Sequence, residues 1–188
     1  MKEKQKFTVI HRVLHWTIAL VMPVMFITGF LRMFWMNKNG MVEVIESKTA
    51  ASPLQKEVMV DIASTIRHPM WEWHEFFANV MIAAFIARIL YMIFKGIRFP
   101  NPFNSSITLK ERLQGFVYIY FYVFVFISAF TGVCLQNHFF DSYHEELEMV
   151  HKWGLYWFPI FIVLHLVGIA IVEHSNKKGI TSKMIGGD

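Results

Sequence analysis

Four histidines interrupt stretches that are otherwise apolar: His15, His74, His151 and His165. An imidazole in a segment of that kind is costly to place against lipid, so it faces the interior and usually has a function. One such residue alone is equally well explained as a hydrogen-bonded packing group; four together need a common reason. His151 and His165 stand fourteen positions apart on one stretch. In a helix that spacing separates them by about 21 Å along the axis and keeps them within about 40° of one face. A single helix therefore offers one imidazole at each of two levels. Paired imidazoles from different helices suit a flat macrocycle whose iron takes axial ligands on opposite faces. A lone zinc ion would instead draw three or four ligands to one point. Iron with two histidines has no open position, which suits electron transfer better than oxygen binding.

The elements that must position these residues follow from composition. Of the 188 residues, 55% are hydrophobic and 16% aromatic, which is unusual for a water-soluble domain of this length. Four segments are long enough to cross a hydrocarbon layer of about 30 Å: Leu14 to Met36, His74 to Phe94, Gly115 to Leu135 and Trp153 to Val172. Lipid offers no partner to free backbone groups, so the segments are expected to be helical, and the fold class is all-α, an integral membrane four-helix bundle in a single domain. The basic start Met1-Lys2-Glu3-Lys4-Gln5-Lys6 resembles the opening of a signal peptide. The apolar segment after it is long and lacks a small-residue cleavage site, so it is read as retained.

Orientation follows from the basic residues flanking the spans. Eleven fall on one side: Lys2, Lys4, Lys6, Arg12, Lys95, Arg98, Lys110, Arg112, Lys177, Lys178 and Lys183. Five fall on the other: Lys38, Lys48, Lys56, Arg67 and Lys152. Both termini are therefore expected in the cytoplasm, and the net charge of +4 is a topology signal that calls for no nucleic acid. His15 begins the first span from inside, level with His165; His74 begins the second from outside, level with His151. Cys134 is the only cysteine, which excludes an intrachain disulfide, a C-x-x-C-H attachment and a self-contained iron–sulfur or four-Cys zinc site.

Between the first two spans, Ser52-Pro53-Leu54-Gln55 reads as a helix start. Leu54, Val58, Ile62 and Ile66 then make one apolar stripe, predicting a short helix at the outer surface, resting on headgroups or docking a partner. The inner connection from Arg98 to Ser106 has turn chemistry and no periodicity. Gly29, Gly132, Gly154 and Gly168 would let helix backbones approach a macrocycle, although glycine is common in membrane helix packing generally.

Several of these features in order resemble the bacterial di-haem cytochrome b group, which includes cytochrome b561, the b subunits of membrane-bound nickel–iron hydrogenases and the gamma subunit of respiratory formate dehydrogenase. They are Arg12-Val13-Leu14-His15-Trp16, His74 after an outer loop, Thr131-Gly132-Val133, the His151 to His165 spacing and the tail Lys178 to Gly187. The resemblance covers essentially the whole chain. It implies two bis-His haems b, with His15 and His165 on the cytoplasmic side and His74 and His151 on the outer side. His11, one turn before His15, is the competing ligand. His174 would contact a propionate or be solvated, and His68, His138 and His144 fall in outer loops. Arg12 and Arg88 are the candidates for the propionates of the cytoplasmic-side haem, Arg88 having snorkelling to the headgroups as its alternative. In the formate dehydrogenase gamma subunit an Asn-x-x-Gln pattern lies near the quinone. Gln114 matches its Gln, and Glu111 replaces its Asn. A carboxylate there would relay protons, or both residues simply start a helix.

The leading expectation is an electron-transfer subunit of a quinone-linked oxidoreductase complex in the bacterial inner membrane. It would pass electrons between quinone and an extracytoplasmic redox protein or catalytic subunit. A stand-alone oxidase of superoxide or another small molecule, and a non-redox histidine-containing transporter or assembly factor, are the alternatives. Homo-oligomerisation is left open.

Overall fold

A chain in lipid must satisfy its own backbone N–H and C=O groups. The computed structural model describes residues 7–174 and 179–187, and among these every regular element is helical. In chain order they are α1 (Val9–Met33), α2 (Lys38–Lys48), α3 (Lys56–Lys95), α4 (Leu109–Gln136), a 3₁₀ turn at Asp141–Tyr143, α5 (His144–Lys152), α6 (Gly154–Glu173) and α7 (Ile180–Ile185). Four stretches are long and apolar enough to cross a membrane: α1, α3, α4 and Asp141–Glu173. Between 6% and 22% of each apolar window is buried. Faces this apolar and this bare need a non-aqueous surround, which makes the chain a multi-pass membrane protein.

The chain forms two compact units, Met1–Ala19 with Ile82–Asp188, and Leu20–Met81. In the first, α4 packs against α5 and α6, and α6 against α7. Phe121 and Phe161 meet with ring centroids 5.0 Å apart, and Phe124 meets Phe161 at 5.8 Å. Packing of this kind holds membrane helices by dispersion, since lipid removes the hydrophobic drive between them. In the second unit Val21, Met22, Met59, Ala63, Met70 and Met81 are buried.

Three elements differ from expectation. The helix expected as a separate surface piece is present but runs on into span two, so that α3 has 40 residues. Pro69 lies inside it without ending it. The buried stripe along its start is Met59, Ala63 and Met70, whereas Val58 and Ile66 are exposed. The stretch from Asn37 onward also forms α2, which starts where the Asn37 side chain accepts from the Gly40 N–H at 2.8 Å. Finally, span four extends N-terminally to His144 and is interrupted at Trp153, whose N–H is shared between the Met149 and Val150 carbonyls at 3.3 and 3.2 Å. That tightened turn puts His151 in α5 and His165 in α6, so the two sit on successive helices rather than on one regular one.

α4 starts with a capping box. Thr108 Oγ1 accepts from the Glu111 N–H at 3.3 Å, and Glu111 Oε2 accepts from the Thr108 N–H at 3.0 Å. The loop before it folds onto the helix: Arg112 Nε donates to the Pro102 carbonyl at 3.0 Å, and the Pro100 carbonyl lies where a side chain on Gly115 would be. Only glycine permits that approach.

Candidate functional site

In the first unit, α1 and α6 bring His15 and His165 together, with ring centroids 6.1 Å apart and planes inclined at 42°. Each ring is braced by an aromatic neighbour. His15 meets Trp16 edge-on at 5.6 Å, and His165 stacks on Phe161 at 5.5 Å. His11 points elsewhere: its ring stacks on Phe7 at 5.1 Å and meets Tyr91 at 6.0 Å.

Two arginines accompany this pair within the same unit. Arg88 Nε donates to the Tyr122 hydroxyl at 3.0 Å, and that hydroxyl donates to Met92 Sδ at 2.9 Å. Arg12 Nη1 donates to the Ile185 carbonyl at 3.0 Å, while its Nε is buried without a partner. Trp16 Nε1 donates to the Met184 carbonyl at 3.2 Å. The start of α1 thus holds the C-terminal helix, whose own first turn is tied down by Glu173 accepting from the Gly179 and Thr181 N–H groups at 2.8 and 2.7 Å.

His151 sits in the same unit against α4. Its Nδ1 lies 3.1 Å from both the Thr131 hydroxyl and the Ser128 carbonyl. A Cβ on Gly132 would come 3.1 Å from His151 Cε1, so the glycine admits the ring. His74 belongs to the second unit. Its Nδ1 lies 2.7 Å from the Thr28 hydroxyl, and its ring is nearly parallel to that of Trp71, at 8° and 5.5 Å. Arg32 in turn covers the Trp71 ring at 4.4 Å.

Glu111 is half-buried and engaged in the capping box; Gln114, one turn on, donates to the Tyr118 hydroxyl at 3.3 Å. Of the remaining histidines, His68 faces Glu72 and His138 faces Asp141, each at 3.6 Å and exposed, His144 is exposed at the start of α5, and His174 Nδ1 bonds the Ala170 carbonyl at 2.8 Å. Lys2, Lys4, Lys6, Lys177 and Lys178 lie outside the described residues. Among those described, no group of three or more His, Cys, Asp or Glu converges as a metal site.

Sequence reasoning passed over Thr28 and Arg67. Thr28 carried a signal, because Thr28-Gly29 in the first span repeats the Thr131-Gly132 pair of the third. Arg67, seven positions before His74, keeps a buried Nε without a partner.

Four helices long and apolar enough to cross a membrane define a helical multi-pass membrane protein. The family of prokaryotic cytochrome b561 matches residues 6–187, and the chain belongs to it. It is a membrane b-type cytochrome acting in electron transfer, and the family's cofactor is haem b. Neither a curated protein nor a solved structure matches the chain.

Proposed function

We propose that the chain holds two haems b and passes electrons across the bacterial inner membrane between a quinone and an extracytoplasmic redox partner. The observation that carries this reading is the His15–His165 pair. Two imidazole nitrogens, each about 2 Å from a shared metal, place their ring centroids roughly 6 Å apart. The 6.1 Å separation fits that span, so these residues suit a bis-His haem. His74 and His151, each already held at Nδ1, would supply the ligands of the second haem at the outer side. Haem b, when held by these residues, would supply one-electron chemistry.

Every other role falls to the chain itself. The orphaned Nε of Arg12 is a buried donor suited to an anion, and with Arg88 it would bind the propionates at the cytoplasmic side. Arg67 offers the equivalent donor two turns before His74. Gln114 would hold a quinone oxygen and Glu111 would exchange its protons, since quinone chemistry couples two electrons to two protons. The excess of Lys and Arg on one side supports cytoplasmic termini.

A reduced-minus-oxidised visible spectrum of the purified, haem-replete protein tests the class, and reduction by a quinol tests the substrate. Sharp b-type bands that a quinol develops are expected. A haem-replete preparation without such bands would end the proposal, and bands indifferent to quinol would remove the quinone from it.

A further inference from the structure

Among the described residues, two polar side chains are buried: Thr28, at 7% exposure, and Thr131, at 4%. They lie on different helices in different units, yet each makes the same contacts. Thr28 Oγ1 donates to the Val24 carbonyl one turn back at 2.8 Å and lies 2.7 Å from His74 Nδ1. Thr131 Oγ1 donates to the Ile127 carbonyl at 2.8 Å and lies 3.1 Å from His151 Nδ1. A hydroxyl has a single proton. With that proton on the helix carbonyl, the oxygen can only accept from the imidazole. Nδ1 must then carry hydrogen, and Nε2 becomes the nitrogen with the lone pair. For His151 the Ser128 carbonyl, 3.1 Å from Nδ1, requires the same tautomer independently, because a carbonyl has no proton to give. The His15–His165 pair is set in another way: among the described residues, neither ring has a hydroxyl at hydrogen-bond distance, and Trp16 and Phe161 brace them instead.

We propose that Thr28 and Thr131 are positioning residues, Thr28 for His74 and Thr131 for His151, each within its own unit, fixing the tautomer and ring orientation of the imidazole it meets and strengthening that imidazole as an electron donor toward haem iron. This rests on His74 and His151 being the ligands of the outer haem. An acceptor on Nδ1–H makes Nε2 a stronger base, and a stronger base favours ferric over ferrous iron. The outer haem is therefore held at a lower midpoint potential than its histidines alone would give.

The test is a redox titration of the holoprotein, followed at the haem absorbance bands, for Thr28→Val and Thr131→Val, which keep the shape and remove the hydroxyl. Thr28→Ser and Thr131→Ser restore it. The His151→Ala protein, lacking the outer haem, identifies which titration step belongs to which haem. Each valine variant should move the outer step upward, by up to about tenfold in the ferric-to-ferrous equilibrium, or ~59 mV for one electron. The inner step and both serine variants should stay at the native values. Should valine expel the outer haem, serine variants that keep it at native potential uphold the proposal, and serine variants that also lose it overturn it. Valine variants with both haems at unchanged potentials would reduce the threonines to ordinary helix packing. A shift in the step that His151→Ala leaves in place would instead refute the ligand assignment on which the proposal stands.

Discussion

Arg88 gives one N–H to Tyr122, which leaves four of the roughly five donors of a guanidinium for an anion. A cation near a haem favours the ferrous state, which carries one positive charge fewer. Arg88→Gln should therefore lower the midpoint potential of the haem proposed for His15 and His165, by on the order of 1 kcal/mol of redox free energy, and Arg88→Lys should lower it less. A potentiometric titration in which Arg88→Gln moved neither haem would place that guanidinium away from the cofactor. A methyl on Gly132 would press on His151 at 3.1 Å. Gly132→Ala should weaken retention of the haem proposed to take His151 by about tenfold, the scale of a disturbed metal-ligand setting. Haem content unchanged in Gly132→Ala would contradict the tight fit. The histidines proposed as ligands stand out in the sequence because an imidazole is conspicuous against an apolar stretch. The threonine contacts were not, because a hydroxyl in a membrane helix is ordinarily absorbed by the carbonyl one turn back, and only the folded chain shows what its oxygen then accepts.

At the scale of elements, periodicity and length found all four spans, and turn chemistry found the loop from Arg98 to Ser106. What escaped was continuity. Ser52-Pro53 opens a short amphipathic stretch that reads as a separate helix, yet α3 runs on through Pro69 into span two. The Trp153 interruption leaves no local mark either, since Trp153-Gly154 stands in an apolar run where a regular helix is the default. The start of α4 was read as either helix start or proton relay, and the fold displays the capping box directly. The two roles separate by mutation. Thr108→Ala should destabilise the protein by about 1 kcal/mol in thermal unfolding with haem content unchanged. Glu111→Gln keeps a side chain that serves a capping box but removes the exchangeable proton, so it should slow quinol oxidation while sparing stability and haem. Full quinol activity in Glu111→Gln would leave Glu111 as a cap alone.

For the molecule as a whole, the exposed apolar faces of α1, α3, α4 and α6 suit lipid. The proposed pairing of four histidines requires a definite stoichiometry, and haem-to-chain ratio is the measurement closest to that proposal. Purified wild-type protein should contain two haems b per chain. His15→Ala and His165→Ala should each contain one, with identical residual spectra. His74→Ala and His151→Ala should also each contain one, sharing the other spectrum, and His11→Ala should keep both. A ratio that stays at two when any of the four is replaced, or that falls with His11 and holds with His15, would contradict the pairing.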